Sequence, residues 1–315
     1  MQMADKPEQT VVSFIIRYGE SSIQGRRNEQ EDMHVAYPEL DKMKKAPNED
    51  EFLVPCDGTK ISANSDTLSF FAVFDGHGGS RCSMYVAENL PWLVRDNFFR
   101  NRNIKLAMKD ALEEVEKNFC AYAKKRKDVM DGTTAAVMTI YQNVLNIVNV
   151  GDTEIVLCRK GNAHVLTEVH TPKRNEKEAD RIVAGGGEIY YDRLAHPSKN
   201  KENFNIAVSR AIGDILFKLP EHTNGKVPTL IADPYLHTEK LCAEDDFIII
   251  ACDGLWDVMT YQGAIDFVIS KLEETDDPQF VAQLLTDEGY RKGSRDNITV
   301  LIVTLKSWEQ PQPPQ

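Results

Sequence analysis

Short apolar runs recur along the chain at 68–74, 134–141, 144–150, 155–159, 247–252 and 298–305, rich in Val, Ile and Phe and bounded by Gly, Asp and Asn. Runs of this length and composition predict strands. Gln142-Asn143, between the second and third runs, predicts a tight hairpin. Over 80–100, 104–127, 173–184, 262–273 and 278–291 the apolar residues return with helical spacing instead. Gly185-Gly186-Gly187 stops the third of these helices. Strands beside strands, with helices between them in pairs, predict an α+β chain of mainly antiparallel sheets covered by helices. No internal repeat interrupts this order.

Three segments lie outside the pattern. Residues 1–12 are expected to form an N-terminal arm, and 307–315, rich in Pro and Gln, a disordered tail. Residues 38–67 are polar, mix both charge signs and carry Pro38, Pro47 and Pro55. A structureless stretch of that length is uncommon inside a compact domain, so it is expected to be an inserted surface loop. The remainder, 13–306, is expected to be one domain, in which 42% hydrophobic residues suffice for a large core.

The net charge of −12 argues against nucleic acid and against anionic membrane surfaces, both polyanions. No apolar run approaches the ~18 residues of a membrane span. The first thirteen residues do not resemble a signal peptide, and Gln2 excludes myristoylation. None of the six cysteines forms a C-x-x-C pair, which fits reduced thiols. The expectation is an intracellular protein, cytoplasmic or nuclear or both, acting as a monomer.

Three acids occupy equivalent places. FFAVFDG puts Asp75 at the end of an apolar run with Gly76 after it, FIIIACDG does the same with Asp253 and Gly254, and SRDN puts Asp296 just before a run. A single strand-Asp-Gly is ordinarily a turn. Three such acids at strand ends can meet at one sheet edge, where they would repel unless cations offset their charge. The candidate ligands are all oxygens, which selects hard ions, Mg²⁺ or Mn²⁺, over zinc or copper. Gly76 would leave its backbone carbonyl open to an ion.

QGRRNEQED, FDGHGG, DGTTA, VNVGD, AVSRAIGD, ACDGLWDV and SRDN follow one another in this order. Together they resemble the type 2C metal-dependent serine/threonine protein phosphatases over about residues 17–305. The resemblance implies a four-layer αββα sandwich, two antiparallel β-sheets flanked by helices, with a dinuclear Mn²⁺ or Mg²⁺ site at one end. It implies Asp75 as the bridging ligand, the Gly76 carbonyl as a further one, and Asp253 and Asp296 as the remaining direct ligands. Glu31 and Asp32 would hold ion-bound water, Asp152 would help hold a weaker third ion, and Asn297 would support the site from beside Asp296. Arg27 matches the phosphate-binding arginine, whose planar fork suits two phosphate oxygens. His77 matches a histidine proposed as general acid for the leaving alkoxide. The implied reaction is hydrolysis of phosphoserine and phosphothreonine in phosphorylated proteins by a water that two ions activate, without a phosphoenzyme.

Two features depart from the resemblance. Glu154 stands where an arginine or similar residue is usual, and the segment 188–205 replaces a shorter flap beside the active site. Cys120–Arg126 has the C-x₅-R spacing of cysteine-dependent phosphatases, but it lies in a helical pattern without the glycines of a phosphate loop. The competing reading is a catalytically weak pseudophosphatase acting as a regulatory binding module. Retention of Asp75, Asp253 and Asp296 argues against it.

Overall fold

In a computed structural model the described residues are 13–43, 61–62, 66–126 and 128–308. The N-terminal arm, residues 44–60 and 63–65 of the expected insertion, and 309–315 lie outside them.

Two antiparallel sheets stack face to face. One runs Asn162–Val165, Glu154–Arg159, Asp245–Ala251, Ile298–Trp308, Ser13–Ile23 and the short Ile61–Ser62. The other runs Tyr235–Lys240, Val144–Val150, Ala135–Tyr141, Ser69–Phe74 and Met33–Tyr37. The period of two along each strand divides its side chains between two cores. Phe71 and Val73 meet Ile248, Ile250, Leu301 and Val303 between the sheets. Phe70, Ala72 and Phe74 point the other way, into the helices Arg81–Asn101 and Ile104–Lys124. Ile249, Ala251 and Val300 likewise point outward to the helices Tyr261–Thr275 and Pro278–Arg291. Because both faces of each central strand are buried, these strands read as continuous apolar runs. The result is the expected αββα sandwich.

The hairpin at Gln142-Asn143 is present, with φ of 51° and 60°, the left-handed pair that a two-residue turn of this twist requires. The helix expected from 173 starts at Glu176 instead. Asn175 takes the cap, its side chain accepting from Lys177 N and Glu178 N.

Three strands of five residues or more escape the apolar pattern: Ser13–Ile23, Met33–Tyr37 and Tyr235–Lys240. The first carries Gly19 and three polar residues in a row, Glu20, Ser21 and Ser22. A side chain at Gly19 would strike the Pro278 carbonyl at 2.1 Å, so helix Pro278–Arg291 rests directly on the strand backbone. The strand Tyr235–Lys240 is a sheet edge, where polar residues face water.

The expected insertion is anchored at both ends. Leu40 is fully buried, Asp41 Oδ1 accepts from Leu68 N at 2.9 Å, and Ile61–Ser62 pairs with Ile15 and Ile16. The last strand runs to Trp308, so Ser307 and Trp308, expected in the tail, belong to the sheet.

Candidate active site

Four strand ends meet at one edge of the sandwich. Ser69–Phe74 ends at Asp75, Val144–Val150 at Gly151-Asp152, and Asp245–Ala251 at Cys252-Asp253; Asp296-Asn297 precede Ile298–Trp308. Antiparallel pairing brings these ends together, with Ala251 opposite both Val300 and Glu154. Thr134 ties this edge together: within one sheet its N donates to Asp75 O at 2.9 Å and its Oγ1 accepts from Asp75 N at 3.0 Å, and the same Oγ1 lies 2.7 Å from Thr153 Oγ1, just before the other sheet's strand Glu154–Arg159.

A cleft of about 540 Å³ opens on this edge. Arg27, Asp75, Gly76, His77, Asp152, Asp253 and Asp296 all line it. Asp32 and Glu31 do not. Asp32 is buried beneath the cleft, within 4.8 Å of Asp75 and Cys252 by its nearest ligand atoms, and Thr299 Oγ1 donates to it at 2.7 Å. Glu31 is held by its backbone: its N donates to Asn297 Oδ1 at 3.0 Å and its O accepts from Ser83 Oγ at 2.5 Å.

Electrostatically the edge is strained. Burial and then the charges of neighbouring acids push Asp75 and Asp253 well above the usual carboxylate range. Burial, the largest effect, raises Asp32 and Asp152 to about 6, against the hydrogen bond from Thr299 to Asp32 and the charge of His77 near Asp152, which lower them. So dense a set of oxygen donors fits hard divalent cations, whose charge removes the repulsion. Asp75, Asp152, Asp253 and Asp296 face the cleft from its wall, and among the described residues the tightest cluster of ligand atoms is Asp32, Asp75 and Cys252 beneath it.

The glycines have a packing reason that spacing alone did not disclose. A Cβ at Gly76 would lie 2.2 Å from Glu31 O, and one at Gly254 would lie 1.9 Å from Asn297 O. Both Asp-Gly pairs therefore admit a neighbouring main chain.

Arg27 reaches Asp296 Oδ2 at 2.5 Å with its NH2 nitrogen. Its loop is tied down by Asn297, whose Nδ2 donates to Gln24 O and Glu29 O at 2.9 Å each. His77 Nε2 meets Asp214 Oδ2 at 2.8 Å. Burial would lower the imidazole pKa, but the charge and hydrogen bond of Asp214 outweigh it and the net shift is upward. Gly132 is needed here, since a Cβ would sit 2.0 Å from Asp214 Oδ2 and 2.5 Å from His77 Nε2.

Four charged residues carried no assignment from sequence: Asp257, Lys173 and Arg174, which line the cleft, and Asp214, which holds His77. Asp257 lies one turn after Asp253, with its N–H donating to Asp253 O at 2.8 Å, so an i, i+4 reading of DGLWD would have found it. Asp214 lies 137 residues from His77 in sequence, and no local spacing marks it. Lys173 and Arg174 line the cleft from the loop before helix Glu176–Ala184.

Glu154 builds an ion pair of its own. It is 1% exposed, lies 2.9 Å from Arg174 NH2 and accepts from Tyr261 Oη at 2.6 Å. The segment 188–205 carries two small strands, Ile189–Tyr190 and Arg193–Ala195, continued by Asn205–Ile206, and its turn places Tyr191, Asp192 and Arg193 at the cleft. Cys120 lies in helix Ile104–Lys124, and burial, the largest effect, lifts its thiol to about 12, which leaves no nucleophile for C-x₅-R chemistry.

Comparison with known proteins agrees with this architecture. The family model described as protein phosphatase 2C matches residues 16–298. Protein phosphatase 1A of Mus musculus is 34% identical over 303 residues, covering 93% of this chain and 71% of that protein. Probable protein phosphatase 2C 22 of Arabidopsis thaliana is 33% identical over 257 residues, covering 81% and 62%. In fold, the chain resembles a C. elegans sex determining protein, with a TM-score of 0.73 at 23% identity, covering 92% of this chain and 64% of that one. It also resembles a serine-threonine phosphatase 2C from Toxoplasma gondii, with a TM-score of 0.69 at 20% identity, covering 93% and 95%. With the family model spanning almost the whole domain and a curated relative above 30% identity, the chain belongs to the protein phosphatase 2C family.

Proposed function

We propose that this chain hydrolyses phosphoserine and phosphothreonine esters of proteins by direct attack of water, with no phosphoenzyme. Its family makes it a metal-dependent serine/threonine protein phosphatase. What supports the finer reading is the shared cleft: Arg27, His77 and the four acids Asp75, Asp152, Asp253 and Asp296 line one cavity.

Mn²⁺ or Mg²⁺, two ions in the core and a weaker third, would neutralise these acids and supply Lewis-acid activation of water and phosphoryl oxygen. Asp75, the Gly76 carbonyl, Asp253 and Asp296 would hold the core ions. Asp152, with Asp253 and Asp257 beside it, would hold the third. Glu31 and Asp32 would orient water. Arg27 binds the phosphoryl oxygens through its fork and stabilises the charge that spreads over them in transfer. His77, held by Asp214 at 2.8 Å, gives its proton to the departing serine or threonine oxygen. The buried, unactivated thiols of Cys82 and Cys252, both raised by burial, offer no competing nucleophile.

The test is hydrolysis of phosphothreonine peptides with Mn²⁺, with EDTA, and after Asp253→Asn. Turnover that depends on Mn²⁺ and falls by about 10² or more in the variant is expected. Wild-type protein inert with Mn²⁺ would sink the reading. A purely regulatory module is favoured by no observation, since every expected ligand acid is present.

A further inference from the structure

Beyond the cleft, a second groove of about 470 Å³ runs along the segment 256–261. It is continuous with the cleft, because Arg174 and Asp257 line both. Its other walls are Trp256, Val258, Met259, Thr260 and Tyr261, a mainly apolar and aromatic surface.

Arg174 stands where the two spaces join, and it is built in. Its NH2 nitrogen carries the 2.9 Å ion pair to buried Glu154 and donates to Tyr261 Oη at 2.5 Å. Both contacts use one nitrogen, and among the described residues Nε and NH1 make no hydrogen bond, which leaves them to a ligand. A guanidinium held in this way loses little rotamer freedom on binding. Lys173 follows on the cleft side, exposed, and among the described residues it makes no ion pair. Among the described residues Asp257 is the only acid lining the groove, and its N–H donates to Asp253 O. Lys173 and Arg174 thus put two adjacent cations on the cleft wall, and Arg174 reaches into the groove as well.

We propose that this groove seats the peptide on one flank of the phosphorylated residue, with an acidic side chain on Arg174 and Lys173 and an apolar side chain against Trp256, Met259 and Tyr261. This rests on the phosphoprotein reading above and adds which phosphopeptides are preferred. Continuity with the cleft supplies the location, and the cation pair beside an apolar wall supplies the chemistry. Glu154, the departure from the family pattern, becomes the residue that fixes Arg174 for this task.

The experiment uses the full chain with Mn²⁺ and short phosphothreonine peptides. Glu followed by Leu is placed on the amino side or the carboxyl side of the phosphothreonine, each matched with a Gln-Ser control. On one side the Glu-Leu peptide is expected to have kcat/KM about tenfold above its control, the worth of one good charged contact. Lys173→Glu, a surface change, should cut that ratio at least about fivefold. Val258→Asp, which puts a charge into the apolar wall, should remove the advantage of Leu. Arg174→Gln is avoided, since it strands buried Glu154.

Fluorescence anisotropy of the same peptides on Asp253→Asn, where chemistry is blocked, reads the groove without turnover. Equal Kd and equal kcat/KM for Glu-Leu and Gln-Ser peptides on both sides would overturn the groove. So would a preference unchanged by both Lys173→Glu and Val258→Asp. Absence of turnover on every peptide, with a Kd preference that Lys173→Glu abolishes, would overturn the phosphatase reading and uphold the groove.

Discussion

Single residues at the active edge serve as joints more than as isolated reagents. Asn297 closes three hydrogen bonds at once, to Gln24 O, Glu29 O and Glu31 N, and so binds the Arg27 loop to the start of a central strand. Each such bond contributes about 1 kcal/mol net, more where a partner is stranded by its loss. Asn297→Ala should therefore destabilise the fold by about 2–3 kcal/mol in urea unfolding and raise KM for phosphopeptides as Arg27 loosens. Asp214 would act through His77, whose Nε2 lies 2.8 Å from its Oδ2. Asp214→Asn keeps the shape and removes the charge. It should lower kcat by about 10²-fold, the lower end of what general acid catalysis contributes. KM and Mn²⁺ dependence should change little. An unaltered kcat would show that the pair is structural.

At the scale of elements, the flap region hangs on one short helix. Glu176–Ala184 presents Glu178, 2% exposed, to Ser209 Oγ at 2.6 Å, Arg210 NH2 at 2.6 Å and Arg181 NH2 at 2.8 Å. Arg181 continues to Thr229 O and Ser209 O, so the helix, the AVSR segment and the 228–231 segment form one network. Burial alone would raise the Glu178 carboxyl, but the hydrogen bonds from Arg181, Arg210 and Ser209 win and hold it well below the usual range. A carboxylate with a depressed native pKa stabilises the fold above its unfolded pKa of about 4.3 and loses that contribution as pH falls through the native value. Glu178→Gln should cost about 3–5 kcal/mol at pH 7, as expected for breaking a buried pair. The gap between variant and wild type should narrow as denaturation is repeated below pH ~4.3. A gap independent of pH would refute the linkage.

Helix Arg81–Asn101 shows a similar economy. Its first N–H, that of Arg81, donates to Asp131 Oδ2 at 2.9 Å, so the Asp of DGTTA closes a helix start 50 residues away. The motif thus serves the helix as well as the strand edge beside it.

Over the whole molecule, the sandwich concentrates repulsion at one end and leaves cations to relieve it. Burial and mutual charge raise Asp75 and Asp253 well above the carboxylate range, which is a cost to the metal-free fold near neutral pH. Mn²⁺ should raise the Tm by several degrees at a hundredfold excess over Kd, equivalent to about 2.7 kcal/mol. Asp253→Asn should invert the pattern: more stable than wild type in EDTA, and less stabilised by Mn²⁺. Thermal scans of both proteins with and without the ion decide it, and equal shifts would remove Asp253 from the ligand set. Among the described residues no helix is long and apolar enough to cross a membrane.

The sequence by itself determined the central strands, because 70–74, 135–138 and 247–251 are buried on both faces and are apolar throughout. It placed Asp75 and Asp253 at strand ends too, since a strand end followed by Gly is a local pattern, and the ordered motifs picked out Asp152 and Asp296, which line the same cleft. It did not show Ser13–Ile23 or Tyr235–Lys240, whose pairing is long-range and whose polar residues are tolerated beside a helix or at a sheet edge. Nor did it show why Gly76 and Gly254 are glycines: the carbonyls of Glu31 and Asn297 that fill their Cβ space come from 45 and 43 residues away in sequence. Only tertiary structure brought Asp214 to His77 and joined Glu154 to Arg174 and Tyr261. Strand periodicity and Asp-Gly pairs are local facts of covalent order, whereas a partner's charge or a neighbour's backbone is set by how distant segments pack.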